Sequence, residues 1–394
     1  MKVNDVQYRS VWFDNNNNEL MIIDQTLLPF EFKIIPLKTL EEVINSIKSM
    51  QVRGAPAIGI AAAYAAYFAT RECKGNLDYF NELINQLIAV RPTAVNLKKG
   101  AMYVANGVNH AYNFSTGSKT TRDTAAVNTA LNTTAIDIAL NTTAANTTLD
   151  TTAITIALYK ANEFAENEIR NCEKIGIIGV EIIKNLYEEK RRTINILTHC
   201  NAGWLACGDW GTATAPIYKA HRLGIPLHIW IDETRPLNQG SRLTAWEMYN
   251  EGIDFSIITD NAGGMLMQNG NVDLVITGAD RIAQNGDTAN KVGTYLKALA
   301  AMENKVPFYI AAPSSTIDIN TENGDLIIIE ERNPKEVSHI IGLTSKDKLE
   351  EVRIVPDNYK IYNLAFDITP HNLITGIITE KGIFKTDELV DQFS

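Results

Sequence analysis

The sequence predicts an α/β protein whose C-terminal part is built on a parallel β-sheet. Short apolar runs alternate with helical stretches after Lys190, an alternation typical of parallel strands joined by crossover helices. The runs are TINILT, PLHIWI, FSIIT, DLVIT and PFYIA. The earlier part of the chain reads as mostly helical, with a strand-like segment VQYRSVWF and a small-residue helix from Ile58 onward. We therefore expect a smaller, mostly helical N-terminal domain with some β structure, followed by a Rossmann-like C-terminal domain.

The composition indicates a globular protein that acts on small molecules. The chain has 394 residues, of which 45% are hydrophobic, so it is long enough for two domains. Its net charge of −10 argues against a nucleic-acid-binding surface. The opening residues MKVNDVQYRS form no apolar signal segment, and the longest apolar run, 57–69, is too short to cross a bilayer. We expect a cytoplasmic protein, with a nuclear pool left open, and neither a nucleic-acid nor a membrane partner.

Four nine-residue units occupy residues 123–158, and they read DTAAVNTAL, NTTAIDIAL, NTTAANTTL and DTTAITIAL. Nine residues make about 2.5 helical turns, so the repeated leucine alternates between faces and forms no continuous stripe. Three interpretations remain open: a low-complexity insertion without chemistry, a small solenoid, or an edge element packed on the body. We favour the insertion. The chain then divides into an N-terminal domain (1–122), the insertion (123–158) and the Rossmann-like domain (159–394), which opens with a helix from about 162 to 190.

Polar or ionisable residues follow each of the five predicted strands. In chain order they are His199-Cys200-Asn201, Asp232-Glu233-Thr234-Arg235, Asp260-Asn261, Gly278-Ala279-Asp280-Arg281 and Pro313-Ser314-Ser315. Ligands of open parallel sheets bind beyond the carboxyl ends of the strands, so these residues are predicted to converge on one site. The alternative is that they only make turns and helix caps.

Cys200 and Asp280 are the two strand-end residues with chemistry to offer. The four cysteines form no CxxC pair, which fits free thiols in a reducing compartment, without a disulfide framework or a zinc site. Amide groups of the glycine-broken loop are expected to lower the pKa of Cys200 or to hold a phosphate; the alternative is a small buried hydrophobe. Asp280 emerges from an apolar strand end, which would raise its pKa and suit a general acid; alternatively it pairs with Arg281 or caps a helix. His199 is expected to point away from Cys200.

Several cationic and amide side chains could hold a phosphate. Arg53 in RGAP and Arg91 in RPTAVN supply guanidinium forks, and Asn290 and Lys291 are predicted at the start of the next helix. The sequence contains no GxGxxG, Walker, HExxH or GxSxG motif. A dinucleotide enzyme, a nucleotide triphosphatase, a zinc protease and a serine hydrolase are therefore not suggested.

The motifs together resemble the methylthioribose-1-phosphate isomerase family over nearly the whole chain apart from residues 123–158. They are RGAPAIG, RPTAVNL, THCNAG, ETRP with QGSRLTAWE, ITDNAG, GADRIAQNGDTANKVGTY, PFYIAAPSSTID and AFDITP. The family is similar to ribose-1,5-bisphosphate isomerase and to the regulatory subunits of the initiation-factor-2B exchange factor, which share the fold but not the cysteine and aspartate pair. This sequence departs from the family at Leu237 and Asn238, and it lacks a methionine after Asn261. The departures bear on the preference for the sugar 5-substituent.

The resemblance implies an isomerase of methionine salvage that converts 5-methylthioribose 1-phosphate into 5-methylthioribulose 1-phosphate. It implies Cys200 and Asp280 as the catalytic pair, a hydrogen that moves from C2 to C1 either as a proton or as a hydride, a homodimer, and no metal or organic cofactor. The residues implied to contact the sugar phosphate are Arg53, Gly54, Ala55, Arg91, Gln239, Asn290 and Lys291. The alternatives are an isomerase of ribose 1,5-bisphosphate or 5-deoxyribose 1-phosphate, and a non-catalytic regulatory subunit.

Overall fold

The N-terminal region combines short antiparallel strands with a bundle of helices. The computed structural model describes residues 1–91, 94–115 and 149–393. Its first strands are β1 (Lys2–Val3), β2 (Val6–Gln7), β3 (Val11–Asp14), β4 (Glu19–Ile23) and β5 (Ile34–Leu37), of which the last three form one antiparallel sheet. Its first helices are α1 (Leu40–Lys48), α2 (Ala55–Glu72), α3 (Leu77–Ile88) and α4 (Val95–Ser115). The predicted combination of helices with some β structure is confirmed.

Helix α2 is the centre of the N-terminal core. Pro56 lies in its first turn, where a missing N–H costs nothing, and alanine-rich sequence favours the helix. Its side chains are buried on nearly every face, because α3, α4 and the next helix surround it. The predicted start at Ile58 lies one turn inside the observed helix, which begins at Ala55.

A long helix, α5 (Leu149–Lys190), joins the two parts of the molecule. Its first half buries small side chains at every fourth position, Ala153, Ala157, Ala161 and Ala165. Spacing by four places them on one face, which packs on α2 and α4. The predicted start near 162 was therefore too late, because 149–158 already belongs to the packed helix. The remaining part of the insertion prediction, 123–148, lies outside the described residues.

The C-terminal region is built on the predicted parallel sheet. Its strands begin with β6 (Ile194–Thr198), β7 (Leu227–Asp232), β8 (Phe255–Ile258), β9 (Leu274–Thr277), β10 (Arg281–Ala283), β11 (Thr288–Lys291) and β12 (Phe308–Ala311). They continue with β13 (Ile317–Asp318), β14 (His339–Leu343), β15 (Leu349–Arg353), β16 (Phe366–Thr369), β17 (Gly376–Thr379) and β18 (Gly382–Phe384). The seven-stranded sheet has the order β18-β17-β12-β9-β6-β7-β8, and only the β17–β18 pair is antiparallel. All five apolar runs form strands of this sheet, which confirms the predicted fold class.

Helices cover the sheet, and a smaller sheet lies beside its carboxyl edge. The helices are α6 (Ala215–Arg222), α7 (Ala245–Glu251), α8 (Gly263–Gln268), α9 (Thr294–Glu303), α10 (Lys335–Ser338) and α11 (Leu389–Phe393). A π-helical turn, Gly240–Thr244, leads into α7. The smaller sheet has the order β13-β10-β11-β16. Asn290 and Lys291 lie on β11, so their predicted place at a helix start was wrong; α9 begins only at Thr294.

Alternate side chains of the central strands enter different cores. Ile196 packs into the cluster that includes α6, whereas Leu197 packs into the cluster on the other face with Phe308. This double burial explains why the strands read as continuous apolar runs. Within the described ranges, no helix is long and apolar enough to span a bilayer.

Candidate active site

The ends of β6, β9 and β12 meet the start of α2 around one cavity. Its wall includes Arg53, Gly54, Ala55, Cys200, Asp280 and Asn290. Pro313 and Thr316, beyond β12, also contribute to the wall. Several of the residues that the family resemblance implies for the site come from distant parts of the chain. They meet at the carboxyl edge of the sheet, where a ligand crevice is expected.

Cys200 is held in an unusual backbone conformation directly after β6. Its φ is 64°, in the left-handed region that non-glycine residues seldom adopt. Its N–H donates to Thr234 Oγ1 at 2.9 Å, and its carbonyl accepts from Thr244 Oγ1 at 2.7 Å. These bonds fix the peptide on both sides, so the strained turn is part of the site.

The thiol of Cys200 is buried but not isolated from charge. Burial raises the pKa of Cys200, while the nearby cations Arg53 and Lys291 and the amide of Asn201 lower it. The net direction is upward, because burial outweighs the amide of Asn201, which acts in the expected direction. The thiol nevertheless lies on the cavity wall beside two cations, which distinguishes it from an inert core cysteine.

Asp280 lies on the same cavity wall, one strand away from Cys200. Burial raises the pKa of Asp280, although Lys291 and Arg91 oppose that shift. The alternative of an ion pair with Arg281 is not observed, because Arg281 instead lies 3.7 Å from Asp318. Asp280 is therefore available to a ligand in the cavity and holds a proton to higher pH than an ordinary aspartate.

The start of α2 approaches the cavity through a glycine that no other residue could replace without strain. Gly54 has φ of 90°, and a Cβ there would lie 2.3 Å from the Cβ of Ala206. The close contact brings Ala55 and the helix N-terminus to the cavity wall. Free amides and the helix dipole make this end suitable for an anion.

Asn290 and Lys291 approach the site from β11. Asn290 Nδ2 donates to Thr294 Oγ1 at 3.0 Å, and Lys291 Nζ donates to the Ala365 carbonyl at 2.8 Å. Burial lowers the pKa of Lys291, and the neighbouring Cys200 and Asp280 offset only part of that shift. Lys291 does not itself line the cavity, but its charge interacts with the groups that do.

Besides Lys291, two of the implied residues, Gln239 and Arg91, lie outside this cavity. Gln239 is buried and lines an adjoining cavity that shares Arg53 with the first. Its Oε1 has no hydrogen-bond partner within the described part of the chain. Arg91 lies 3.6 Å from the carboxylate of Glu330 and acts on Asp280 through its charge.

A buried charged network underneath Cys200 was not predicted from the sequence. The ring of His199 bonds groups other than Cys200: its Nδ1 lies 2.7 Å from Asp232 Oδ2, and its Nε2 lies 2.9 Å from the Val292 carbonyl. The ring of His199 is therefore held at both nitrogens by oxygen atoms of the network. Lys297 Nζ lies 3.0 Å from the same Asp232 oxygen and donates to the Asp260 carbonyl.

This network also explains the one group of potential metal ligands among the described residues. His199, Asp232 and Asp260 bring ligand atoms within 4.8 Å of one another. The ammonium of Lys297 already supplies a positive charge at this place. The only sequence signal for the network was the position of His199 and Asp232 at strand ends, because Lys297 lies in a helix with no distinguishing pattern.

Comparison with known proteins gives a consistent family. The model of the initiation factor 2 subunit family matches residues 51–386. The chain is 45% identical over 380 residues to the methylthioribose-1-phosphate isomerase of Desulfosudis oleivorans, covering 95% of this chain and 93% of that protein. It is 42% identical over 398 residues to the protein of that name from Escherichia coli, covering 100% and 97% of the two chains.

Solved structures share the fold over nearly the full length. The 5-methylthioribose 1-phosphate isomerase of Pyrococcus horikoshii superposes with a TM-score of 0.75 at 36% identity, covering 98% of this chain and 97% of that one. The translation initiation factor eIF-2B subunit delta of A. fulgidus superposes with a TM-score of 0.71 at 34% identity, covering 96% of each chain. The chain therefore belongs to the initiation factor 2 subunit family and, within it, to the methylthioribose-1-phosphate isomerases.

Proposed function

We propose that this protein isomerises 5-methylthioribose 1-phosphate, an aldose, to 5-methylthioribulose 1-phosphate, a ketose, in methionine salvage. The observation that carries the proposal is the meeting of Cys200 and Asp280 in one cavity with Arg53 and the start of α2. A regulatory subunit would not need such an acid and thiol pair. The names of the two relatives compared above support the same reaction.

The first chemical task is to open the sugar ring. Phosphate caps the anomeric oxygen, so the ring cannot open spontaneously as a free sugar does. Asp280, whose pKa is raised by burial, gives a proton to the ring oxygen as the bond from that oxygen to C1 breaks. The positive charge left at C1 is shared with the phosphate-bearing oxygen.

Hydrogen then moves from C2 to C1, and two routes are compatible with the site. In the first, the Cys200 thiolate takes the C2 proton, and the electron pair of that C–H bond forms the C1–C2 double bond of an enol phosphate. The thiol returns the proton to C1, while the C2 hydroxyl reprotonates the Asp280 carboxylate. In the second, hydride moves directly with its electron pair, and Cys200 stabilises the developing charge.

Turnover in deuterated water separates the routes. The proton route exposes the transferred hydrogen to a thiol that exchanges with solvent, whereas a hydride never leaves the substrate. Substantial deuterium at C1 of the ketose excludes a pure hydride shift.

Neither route uses a metal or an organic cofactor, so a chelator should leave the rate unchanged. A large loss of activity that added metal restores would contradict this.

The phosphate is proposed to bind between the Arg53 guanidinium and the amide groups at Gly54 and Ala55. A guanidinium fork and a helix N-terminus are both suited to phosphate oxygens. Asn290 and Lys291 complete the polar surface from β11. Gln239 is proposed to join them from the adjoining cavity, which shares Arg53 with the site, and Arg91 from beside Asp280, on whose pKa its charge acts.

The adjoining cavity favours an apolar group on the sugar C5. Four of the side chains around it are apolar or thioether side chains, Met50, Leu237, Leu243 and Ile341. A methylthio group would bury its surface there. The second phosphate of ribose 1,5-bisphosphate would meet only Arg242 besides Arg53, and Arg242 already donates to the Thr26 and Leu28 carbonyls. Leu237, one of the positions at which the sequence departs from the family, belongs to this wall.

A phosphorus NMR time course tests the reaction and the substrate together. The purified protein is incubated separately with 5-methylthioribose 1-phosphate, ribose 1,5-bisphosphate and 5-deoxyribose 1-phosphate, beside Cys200→Ser and Asp280→Asn. We expect ketose formation mainly from the first substrate, with a loss of about 10²-fold or more in each variant. No conversion of any of the three by folded wild-type protein would favour a regulatory subunit.

We also propose that the protein is a cytoplasmic homodimer. Large apolar side chains are exposed on α9, where Leu296 and Met302 are 56% and 59% accessible in the single chain. Such side chains commonly mark a surface that another subunit covers. Sedimentation velocity should give twice the mass of one chain, and a monomer at enzymatic concentrations would contradict the dimer. Cell fractionation tests the location.

A further inference from the structure

Glu247 is a completely buried carboxylate that does not line the cavity. It lies in α7 with an accessibility of 0%, and a Cβ at Gly203 would lie 1.6 Å from its Oε2. Its Oε1 accepts from Leu205 N at 2.9 Å, and its Oε2 accepts from Tyr218 OH at 2.6 Å. Burying a carboxylate is costly, and burial raises the pKa of Glu247 to about 7. Packing alone gives no reason for an acid at this position.

The third partner of Glu247 links it to the site. Asn201 Nδ2 donates to Glu247 Oε1 at 3.1 Å and also lies 3.2 Å from Thr244 Oγ1. The other end of the same amide accepts from Arg53, with 2.5 Å between Arg53 Nη1 and Asn201 Oδ1. Arg53 Nη2 donates to the Asn201 backbone carbonyl at 2.7 Å. One side chain therefore connects a buried acid to the guanidinium on the cavity wall.

The chemistry of the three groups fixes the orientation of the amide. A guanidinium can only donate hydrogen bonds, and an ionised carboxylate can only accept them. Asn201 must therefore present its oxygen to Arg53 and its nitrogen to Glu247. If the acceptor at position 247 is removed, the amide can rotate and present its NH₂ to Arg53, which also donates.

We propose that Glu247 is a positioning residue that acts through Asn201 to hold the Arg53 guanidinium where the sugar phosphate binds. The inference rests on the proposed function and adds to it a residue outside the cavity. Both Arg53 amino groups are held along one edge by Asn201, so the rest of the guanidinium is oriented before substrate arrives. Orientation in advance reduces the entropy cost of binding.

Three variants separate positioning from simple packing. Leu205 N can only donate, so Glu247→Gln keeps an oxygen opposite it. The amide of Asn201 then keeps its orientation, and KM should stay within about threefold of wild type. Glu247→Leu removes the acceptor, and KM should rise about tenfold or more, with a smaller change in kcat. Tyr218→Phe removes a different partner of Glu247 and should lower stability without raising KM.

A double-mutant cycle with Arg53→Lys gives the decisive measurement. If Glu247 acts through Arg53, Glu247→Leu should add less than about threefold to the KM of Arg53→Lys. The proposal is overturned if the KM increases of Glu247→Leu and Arg53→Lys multiply fully in the double variant. It is also overturned if the KM of Glu247→Gln rises as much as that of Glu247→Leu. If Glu247→Leu does not fold, Asn201→Ser breaks the same link with the other Glu247 bonds intact, and an unchanged KM for it would overturn the proposal.

Failure of this inference can be distinguished from failure of the proposed function. Inorganic phosphate is titrated into the wild type and the same variants while alkylation of Cys200 is followed. If the wild-type protein turns over no substrate, only the proposed function is refuted. In that case the dissociation constant of inorganic phosphate decides: weakening of about tenfold in Glu247→Leu but not in Glu247→Gln supports the positioning role, and equal affinities overturn it.

Discussion

Glu168 is expected to weaken the folded protein at neutral pH, so replacing it by glutamine should stabilise the molecule. It lies on α5 with an accessibility of 5%, and its Oε2 has no hydrogen-bond partner within the described ranges. Burial raises the pKa of Glu168 to about 7, the Glu380 carboxylate adds to the rise, and Lys99 opposes it. The charged form is thus disfavoured in the fold.

The size and sign of this stability change follow from the linkage between protonation and folding. A rise in pKa from 4.5 to about 7 corresponds to about 3 kcal/mol between the two protonation states. The folded pKa exceeds the unfolded one, so the stability due to the protonated acid is complete below about pH 4.5 and is lost as pH rises through about 7. Glutamine does not titrate. The Glu168→Gln variant should therefore gain up to about 3 kcal/mol at about pH 8, and little at about pH 4.5.

Urea unfolding followed by tryptophan fluorescence at these two pH values measures the difference. Glu163→Gln, on the same helix, is a matched control of opposite sign. Burial opposes ionisation there too, but hydrogen bonds from Lys160 and Tyr103 hold the pKa of Glu163 below its ordinary value. That variant should lose stability at about pH 8. A Glu168→Gln variant with the same gain at both pH values, or with none, would refute the reasoning.

Three further outcomes follow from the site. Gly54→Ala should raise KM and cost about 1–3 kcal/mol of stability, measured by kinetics and urea unfolding, because its Cβ would lie 2.3 Å from the Ala206 Cβ at positive φ. Asp232→Leu should cost about 3–5 kcal/mol, since it leaves the Lys297 ammonium buried without its carboxylate; thermal unfolding no lower than wild type would contradict this. Alkylation of Cys200 by iodoacetamide should speed up only above the ordinary thiol pKa, since burial raises the pKa of Cys200, and bound substrate should suppress it.

The strands and their ends could be predicted because the signal is local. A strand covered on both faces must be a short apolar run, and the residue that follows it must lie at the carboxyl edge. That argument brings Cys200 and Asp280 to the same edge of the sheet without any knowledge of the packing. The smaller sheet escaped prediction because β11 carries the polar sequence TANK, which reads as a loop and helix cap.

The start of α5 was missed because the most visible repeat is not the structural one. The nine-residue period draws attention to the leucines, whereas the buried stripe continues at intervals of four from Ala153 to Ala165. Contacts between residues that are distant in sequence could not be predicted for a different reason. The pairing of Glu247 with Asn201, or of Asp232 with Lys297, depends on how helices settle on the sheet, and no local pattern encodes it.

Helix α5 contributes to two hydrophobic cores, and this affects how the molecule unfolds. Ala157 belongs to the N-terminal core, and Ile175 and Ile183 belong to the core beside the parallel sheet. At Gly179 a Cβ would lie 2.5 Å from Pro216 Cγ, so the helix and the start of α6 are in close contact. Neither core can melt without exposing its half of the same helix. The two are therefore expected to unfold as one cooperative unit, with the slowest hydrogen exchange of the helix at its centre.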